Sequence, residues 1–148
     1  MSEHFTILLV EDSLDDVILL RRAFERAHVL NPLVRVEDGS KAIDYLSGSG
    51  VYCDREEYPL PFLILMDLKM PKVSGFEAIK WIRQRQEFAR ITIVVLTSSD
   101  DFPYIEEAYR LGADSYLIKP GGSEQLFEML HRFEGYWFMT NRPTHLAA

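Results

Sequence analysis

Four apolar runs of strand length end directly on residues that can do chemistry. Glu11 and Asp12 follow the run 7–10, Asp67 follows 62–66, Thr97 follows 91–96, and Lys119 follows 115–118. Three carboxylates brought into one cleft repel each other, and that repulsion raises at least one pKa unless a cation offsets it. A hard divalent ion is the natural partner. Mg²⁺ prefers a few carboxylate oxygens together with waters and phosphate oxygens, and Mn²⁺ is an acceptable substitute. The expected ligands are Asp12 and Asp67, with Glu11 acting directly or through water and the Lys69 backbone carbonyl adding one oxygen. The Thr97 hydroxyl can hydrogen-bond a phosphoryl oxygen, and the Lys119 ammonium can offset phosphoryl charge. Taken singly, each feature has an ordinary reading as a solvated acidic loop, a structural threonine or a surface lysine. Taken together, the five positions specify phosphoryl chemistry.

The elements that must bring these residues together follow a repeated strand–helix pattern. The run 7–10 is continuously apolar, as expected for a strand covered on both faces of a parallel sheet. Ser13 is placed to cap a helix whose first turn holds Asp15 and Asp16, near the positive end of the helix dipole. Val17, Leu20, Phe24 and Ala27 form its buried stripe. Val34 and Val36 mark a second strand, Asp38-Gly39-Ser40 a turn into a short helix with Ala42, Ile43 and Leu46, and 47–61 reads as a loop. Residues 62–66 give the third strand. Pro71 and Gly75 break the chain before a helix carrying Ile79 and Ile82, and 91–96 is the fourth strand. Pro103 opens the next helix and Gly112 closes it. Residues 115–118 form the fifth strand, and Ser123 starts a last helix with Leu126, Leu130, Phe133 and Trp137 on one stripe.

Five strands alternating with five helices predict an α/β fold, a (βα)5 doubly wound parallel sheet, because right-handed crossovers place successive helices over those strands. Strand order is not readable from the pattern. In the flavodoxin-like order 2-1-3-4-5, the topological switch point lies beyond the carboxyl ends of the first and third strands, where such folds bind ligands. Glu11, Asp12 and Asp67 then converge there despite their distance along the chain.

Composition narrows the partners. The 148 residues carry 16 Lys+Arg against 23 Asp+Glu, a net charge of −7, with 47% hydrophobic residues. That length suits one domain with a real core, spanning 1–148 with its core at about 5–134 and a helical extension over about 135–148. A separate effector domain is not expected. Net negative charge disfavours nucleic acid and anionic membranes. The longest apolar stretch is far short of the ~20 residues a bilayer span needs. The opening Met-Ser-Glu-His lacks the segments of a secretory signal, so the expected compartment is the cytoplasm. Cys53 is the single cysteine, excluding internal disulfides and thiolate zinc sites. His4, His28, His131 and His145 fall at no strand end and are assigned no chemistry.

The acidic pair after the first strand, Asp67-Leu-Lys-Met-Pro71 with Gly75, Thr97, and Tyr116-Leu-Ile-Lys119-Pro120 resemble a response-regulator receiver domain over nearly the whole chain. The resemblance implies that Asp67 is the phosphoacceptor, Asp12 a direct metal ligand and Glu11 its acidic companion. It also implies that Thr97 is the switch hydroxyl, Lys119 the phosphoryl-binding lysine and Tyr116 the switch aromatic. On this reading the protein is not an enzyme but a stand-alone signalling protein. It takes a phosphoryl group from a sensor histidine kinase in a Mg²⁺-dependent reaction and assists its own phosphorylation and dephosphorylation. The stretch 48–61, the segment Leu-Thr-Ser-Ser-Asp-Asp and the aromatic last helix resemble single-domain regulators associated with bacterial phytochrome kinases. A cis Lys119-Pro120 bond is also implied, although trans is the commoner isomer for any such bond. Glu11 stands where many relatives carry Asp, and Gly121-Gly122 replace bulkier turn residues.

Two other classes use parts of the same pattern. An aspartate-nucleophile phosphatase would use Asp67 and Mg²⁺, but it expects a second Asp where Lys69 stands. A flavin electron carrier shares the fold, but its phosphate loop would be rich in hydroxyls and glycines where this chain has Glu-Asp-Ser-Leu-Asp-Asp. The signal is expected to leave either through a downstream protein or through a homodimer. The tail Tyr136-Trp137-Phe138-Met139 cannot turn three consecutive aromatics inward on one helix, which makes the C-terminal face the candidate surface.

Overall fold

The computed structural model describes residues 5–70 and 72–132. The chain runs β1 (Ile7–Val10), α1 (Leu14–Arg26), β2 (Leu33–Val36), α2 (Gly39–Ser47), β3 (Leu63–Met66), α3 (Gly75–Arg83), β4 (Thr92–Thr97), α4 (Phe102–Leu111), β5 (Ser115–Ile118) and α5 (Ser123–Arg132). All neighbouring strands pair in parallel, in the order β2-β1-β3-β4-β5. The expected flavodoxin-like topology is therefore the observed one.

Strand side chains alternate between two buried faces. Leu8, Val10, Ile64, Met66, Ile93 and Val95 point to the face covered by α2, α3 and α4, where they meet Ala42, Leu46, Ile79, Ile82 and Ala108. Ile7, Leu9, Leu63, Leu65, Val94 and Leu96 point to the other face, against Val17, Leu20 and Phe24 of α1 and Leu126 and Leu130 of α5. This two-sided burial explains why β1 and β3 read as unbroken apolar runs, with every residue buried.

Local chemistry sets the helix ends. Ser13 Oγ accepts from the Asp16 N–H as expected of a cap. The start of α3 is fixed by a capping box, in which Ser74 and Glu77 each accept from the other's backbone N–H. Gly112 ends α4 at φ 119°, a conformation that strains any residue with a side chain.

Some expectations shift. β3 and β4 each begin one residue later than the apolar runs, and α5 includes Ser123 as its first residue. The expected loop over 47–61 contains a 3-10 turn, Gly50–Cys53, and is folded onto α2. Arg55 donates to the carbonyls of Tyr45, Leu46 and Tyr58, while the rings of Tyr45, Tyr52 and Tyr58 pack within 5.1 to 6.0 Å of one another. No peptide bond among the described residues is cis, so the Lys119–Pro120 bond implied by the family resemblance is trans. The trans isomer of an X–Pro bond is intrinsically favoured by about 0.5–1 kcal/mol.

No helix among the described residues is long and apolar enough to cross a membrane. Phe133 and Trp137 of the expected stripe, the aromatic tail and the C-terminal extension, together with His4, His145 and Pro71, lie outside the described residues.

Candidate phosphoryl and metal site

The ladder extends one residue beyond the strands and sets the site. Glu11 N–H donates to the Val36 carbonyl, Asp67 N–H to the Val10 carbonyl, and Lys119 N–H to the Thr97 carbonyl, at 3.1, 3.1 and 2.8 Å. Each functional backbone is thus held by its neighbour across the sheet. Carboxylate oxygens of Glu11, Asp12 and Asp67 lie within 4.8 Å of one another, the arrangement expected of a small oxygen-ligated cation site. Glu11 and Asp67 are buried and Asp12 is exposed.

Each acid is oriented by its surroundings. Glu11 Oε2 accepts from the Ser13 N–H at 3.1 Å, and Asp67 Oδ1 accepts from the Leu68 N–H at 2.8 Å. Arg35, at the end region of β2, donates through Nε to the Glu11 carbonyl and through Nη2 to the Asp12 carbonyl. The guanidinium therefore holds the backbone of the acidic pair without neutralising its carboxylates.

Lys119 Nζ sits among the acids. It donates to Glu11 Oε1 at 2.6 Å and to Asp16 Oδ2 at 2.7 Å, and approaches Asp67 Oδ2 at 3.6 Å. Burial pulls the ammonium's pKa down, but the Asp16 and Glu11 carboxylates outweigh it and hold Lys119 above the usual lysine range. Burial pushes the Glu11 carboxyl up to about 7, with the neighbouring Asp67 charge adding to the shift and Lys119 and the Ser13 N–H opposing it. Burial without full charge compensation is what holds the Glu11 proton, and a cation between the carboxylates would lower that cost.

A pH dependence follows. Without metal, folded Glu11 holds its proton more tightly than unfolded Glu11, so its contribution to stability is present at low pH and is lost as pH rises through about 7. The raised Lys119 titrates above this window and does not offset the trend. The thermal midpoint of metal-free protein should fall between about pH 5 and about pH 8, and saturating Mg²⁺ should reverse the fall by binding the ionised carboxylates. Calorimetry with and without Mg²⁺ checks both signs.

Thr97 is almost fully buried, and its Oγ1 has no hydrogen-bond partner. An orphaned buried hydroxyl at a strand end is a donor in waiting, since leaving it unpaired costs free energy. Tyr116 is half-buried beside the α3–α4 side of the core, and its hydroxyl donates to the Ser99 carbonyl at 2.7 Å. Lys69 extends outward, its ammonium 5.5 Å over the Tyr104 ring. Of the residues singled out in the sequence, Glu11, Asp12, Asp67 and Lys119 therefore converge in one cluster. Thr97 is tied to Lys119 through the backbone, and Tyr116 reaches the loop after β4.

Asp16 and Arg35 are the participants that sequence reasoning missed. Asp16 reads as a helix-dipole residue, but it stands four positions before Leu20, on the stripe that faces the core. An acid on that stripe was the available signal.

Residues 7–131 match the family described as the response regulator receiver domain. The chain is 37% identical over 93% of its length to the probable methanogenesis regulatory protein FilR2 of Methanothrix harundinacea, covering 86% of that protein. It is 36% identical over 90% of its length to the response regulator Rcp1 of Synechocystis, covering 89% of it; a solved Mn²⁺-bound form of Rcp1 superposes with a TM-score of 0.81. The phosphorylated cyanobacterial phytochrome response regulator RcpA superposes with a TM-score of 0.83 at 34% identity, over 93% of this chain and 96% of that one.

Proposed function

Because this chain belongs to the response regulator receiver family, we propose that it accepts a phosphoryl group on Asp67 from a sensor histidine kinase and signals through the conformational change that follows. The single observation that carries this reading is the cluster itself: three carboxylates, two of them buried, around one lysine at the ends of β1, β3 and β5. The likeness to RcpA, a phytochrome response regulator, favours a kinase of the phytochrome type.

The residues fit a resident Mg²⁺ or Mn²⁺. Asp12, Asp67 and Glu11, with the Lys69 backbone carbonyl, would hold it, and when bound it supplies positive charge to the oxygens of the transferred group. The chain's own residues do the rest. Asp67, an acceptor that needs no general base when ionised, attacks the phosphorus of a phosphohistidine in line. The new P–O bond forms as the P–N bond breaks, and the imidazole leaves with the electron pair. Lys119 offsets the charge on the bound phosphoryl group, and the Leu68 N–H keeps Asp67 oriented.

Thr97 is the lever of the switch. Its hydroxyl gains its missing partner only when a phosphoryl oxygen arrives, so the phosphorylated state alone satisfies it. Tyr116, tied to the loop after β4 through Ser99, reports the movement to the surface of α4, β5 and α5. The output is a downstream protein or a homodimer. Thr97→Val should raise the stability of unphosphorylated protein by about 1 kcal/mol, because it replaces an unpaired hydroxyl with a methyl of similar shape. The same variant should still take up phosphoryl but lose the change in Tyr116 environment. Chemical denaturation and Tyr116 NMR shifts before and after phosphorylation check both.

The proposal is tested by intact-mass analysis after treatment with acetyl phosphate. One phosphoryl adduct is expected with Mg²⁺ and none with a chelator; no adduct in either condition overturns it.

A further inference from the structure

Lys119 is held more closely by two acids than by the proposed phosphoacceptor. Its Nζ lies 2.6 Å from Glu11 and 2.7 Å from Asp16, but 3.6 Å from Asp67, beyond hydrogen-bond length. The two close partners differ in kind. Glu11 is in the cation cluster, whereas Asp16 is outside it, on the first turn of α1. Its backbone N–H is engaged by the Ser13 cap, so its position is set by the helix start. A cavity of about 40 Å³ adjoins the pair, with Asp16, Lys119, Pro120 and Gly122 among its lining residues. The two short contacts to Glu11 and Asp16 fix where the ammonium points.

We propose that Asp16 is a positioning residue that parks Lys119 away from Asp67 and competes with the phosphoryl group for its ammonium. The inference rests on the receiver reading above and adds to it a residue that tunes how tightly the phosphorylated state is held. In the resting site, Lys119 divides its donors between Glu11 and Asp16. A phosphoryl group on Asp67 presents more negative charge to the same ammonium, and Lys119 must release Asp16 to reach it. The energy of that release is subtracted from phosphoryl binding. Asp16 thus sets part of the bias between the two states, since a ligand shifts a population only by its differential interaction with them. With a side chain about one-third exposed, Asp16 contributes at the scale of a partly solvated pair.

The test is the affinity of full-length protein for beryllofluoride, a phosphoryl stand-in, at saturating Mg²⁺, read from intrinsic fluorescence. Asp16→Asn should tighten binding about fivefold, the factor that corresponds to release of one partly exposed ion pair. In a Lys119→Met background the same substitution should change nothing, because no ammonium remains to be parked. This arm separates positioning from the general effect of removing a negative charge. A second readout needs neither metal nor mimic. The ammonium protons of Lys119 should exchange with solvent faster in Asp16→Asn than in the parent, and Asp16→Glu should restore slower exchange. Unchanged or weaker beryllofluoride binding by Asp16→Asn, or an equal gain in the Lys119→Met background, overturns the proposal. If that happens in a protein that still takes phosphoryl from acetyl phosphate, the receiver reading stands. If the parent neither takes phosphoryl nor binds beryllofluoride, both fall.

Discussion

Asp67→Asn should abolish phosphoryl uptake entirely while leaving a protein at least as stable as the parent when metal is absent. The two effects have separate causes. An amide lacks the anionic oxygen that attacks phosphorus, and no neighbouring acid occupies the same position beyond β3, so the loss is complete rather than partial. The fold does not depend on that charge. Asn has the same shape, its oxygen can keep the 2.8 Å bond from the Leu68 N–H, and Lys119, 3.6 Å away and beyond hydrogen-bond length, loses only a Coulombic attraction while keeping Glu11 and Asp16. The change also removes the negative charge that helps push Glu11 upward, which relieves the metal-free site. Mg²⁺ binding should weaken steeply, because one of three carboxylates is gone. Intact mass after acetyl phosphate, thermal midpoints and a Mg²⁺ titration read the three consequences. An adduct retained by the variant would move the acceptor elsewhere, and a large loss of metal-free stability would contradict the account of repulsion.

Gly75→Ala should be the most destabilising conservative change near the site, costing about 3 kcal/mol or more. A Cβ at Gly75 would lie 2.2 Å from the Asp67 carbonyl oxygen and 2.8 Å from Leu68 Cα. Both are backbone atoms, so no rotamer change makes room. The glycine N–H also donates to the Leu68 carbonyl, which ties the start of α3 to the segment carrying Asp67. Relief would move either the helix or the acceptor, so phosphoryl uptake should fall together with stability. For a domain of this size the thermal midpoint should drop by roughly 10 °C. Gly121→Ala is the control: a Cβ there meets nothing within 4 Å, and the expected change stays within about 0.5 kcal/mol. Equal midpoints for the two variants would refute the close-approach argument.

Much of the site was legible because strand ends are legible. Continuous apolar runs mark strands buried on both faces, and β1 and β5 occupy the expected residues. The residues that follow such runs must emerge at one rim, so Glu11, Asp12, Asp67 and Lys119 could be grouped before any distance was known. The segment 47–61 was not legible in the same way. Its order comes from Arg55 reaching three carbonyls and from three tyrosine rings meeting, contacts that have no period in the chain. For the Lys119–Pro120 bond the resemblance implied cis and the base rate favoured trans; the bond is trans, and the sequence could not decide because the geometry of one peptide bond depends on the turn around it. Asp16 was passed over for a related reason: its helical position explained its charge without reference to a partner more than a hundred residues away.

The order of residue types along the chain determined the alternation of strand and helix, the acids and the lysine at the strand ends, and the net negative charge, since each depends on local pattern or simple counting. Tertiary structure alone decided which carboxylates share the Lys119 ammonium, that Thr97 keeps an unpaired hydroxyl, and that Gly75 has no room for a methyl group. Hydrogen bonds, burial and close approach act over a few ångströms in space. Only the crossovers that bring β1, β3, β4 and β5 side by side convert distance along the chain into distances of that size.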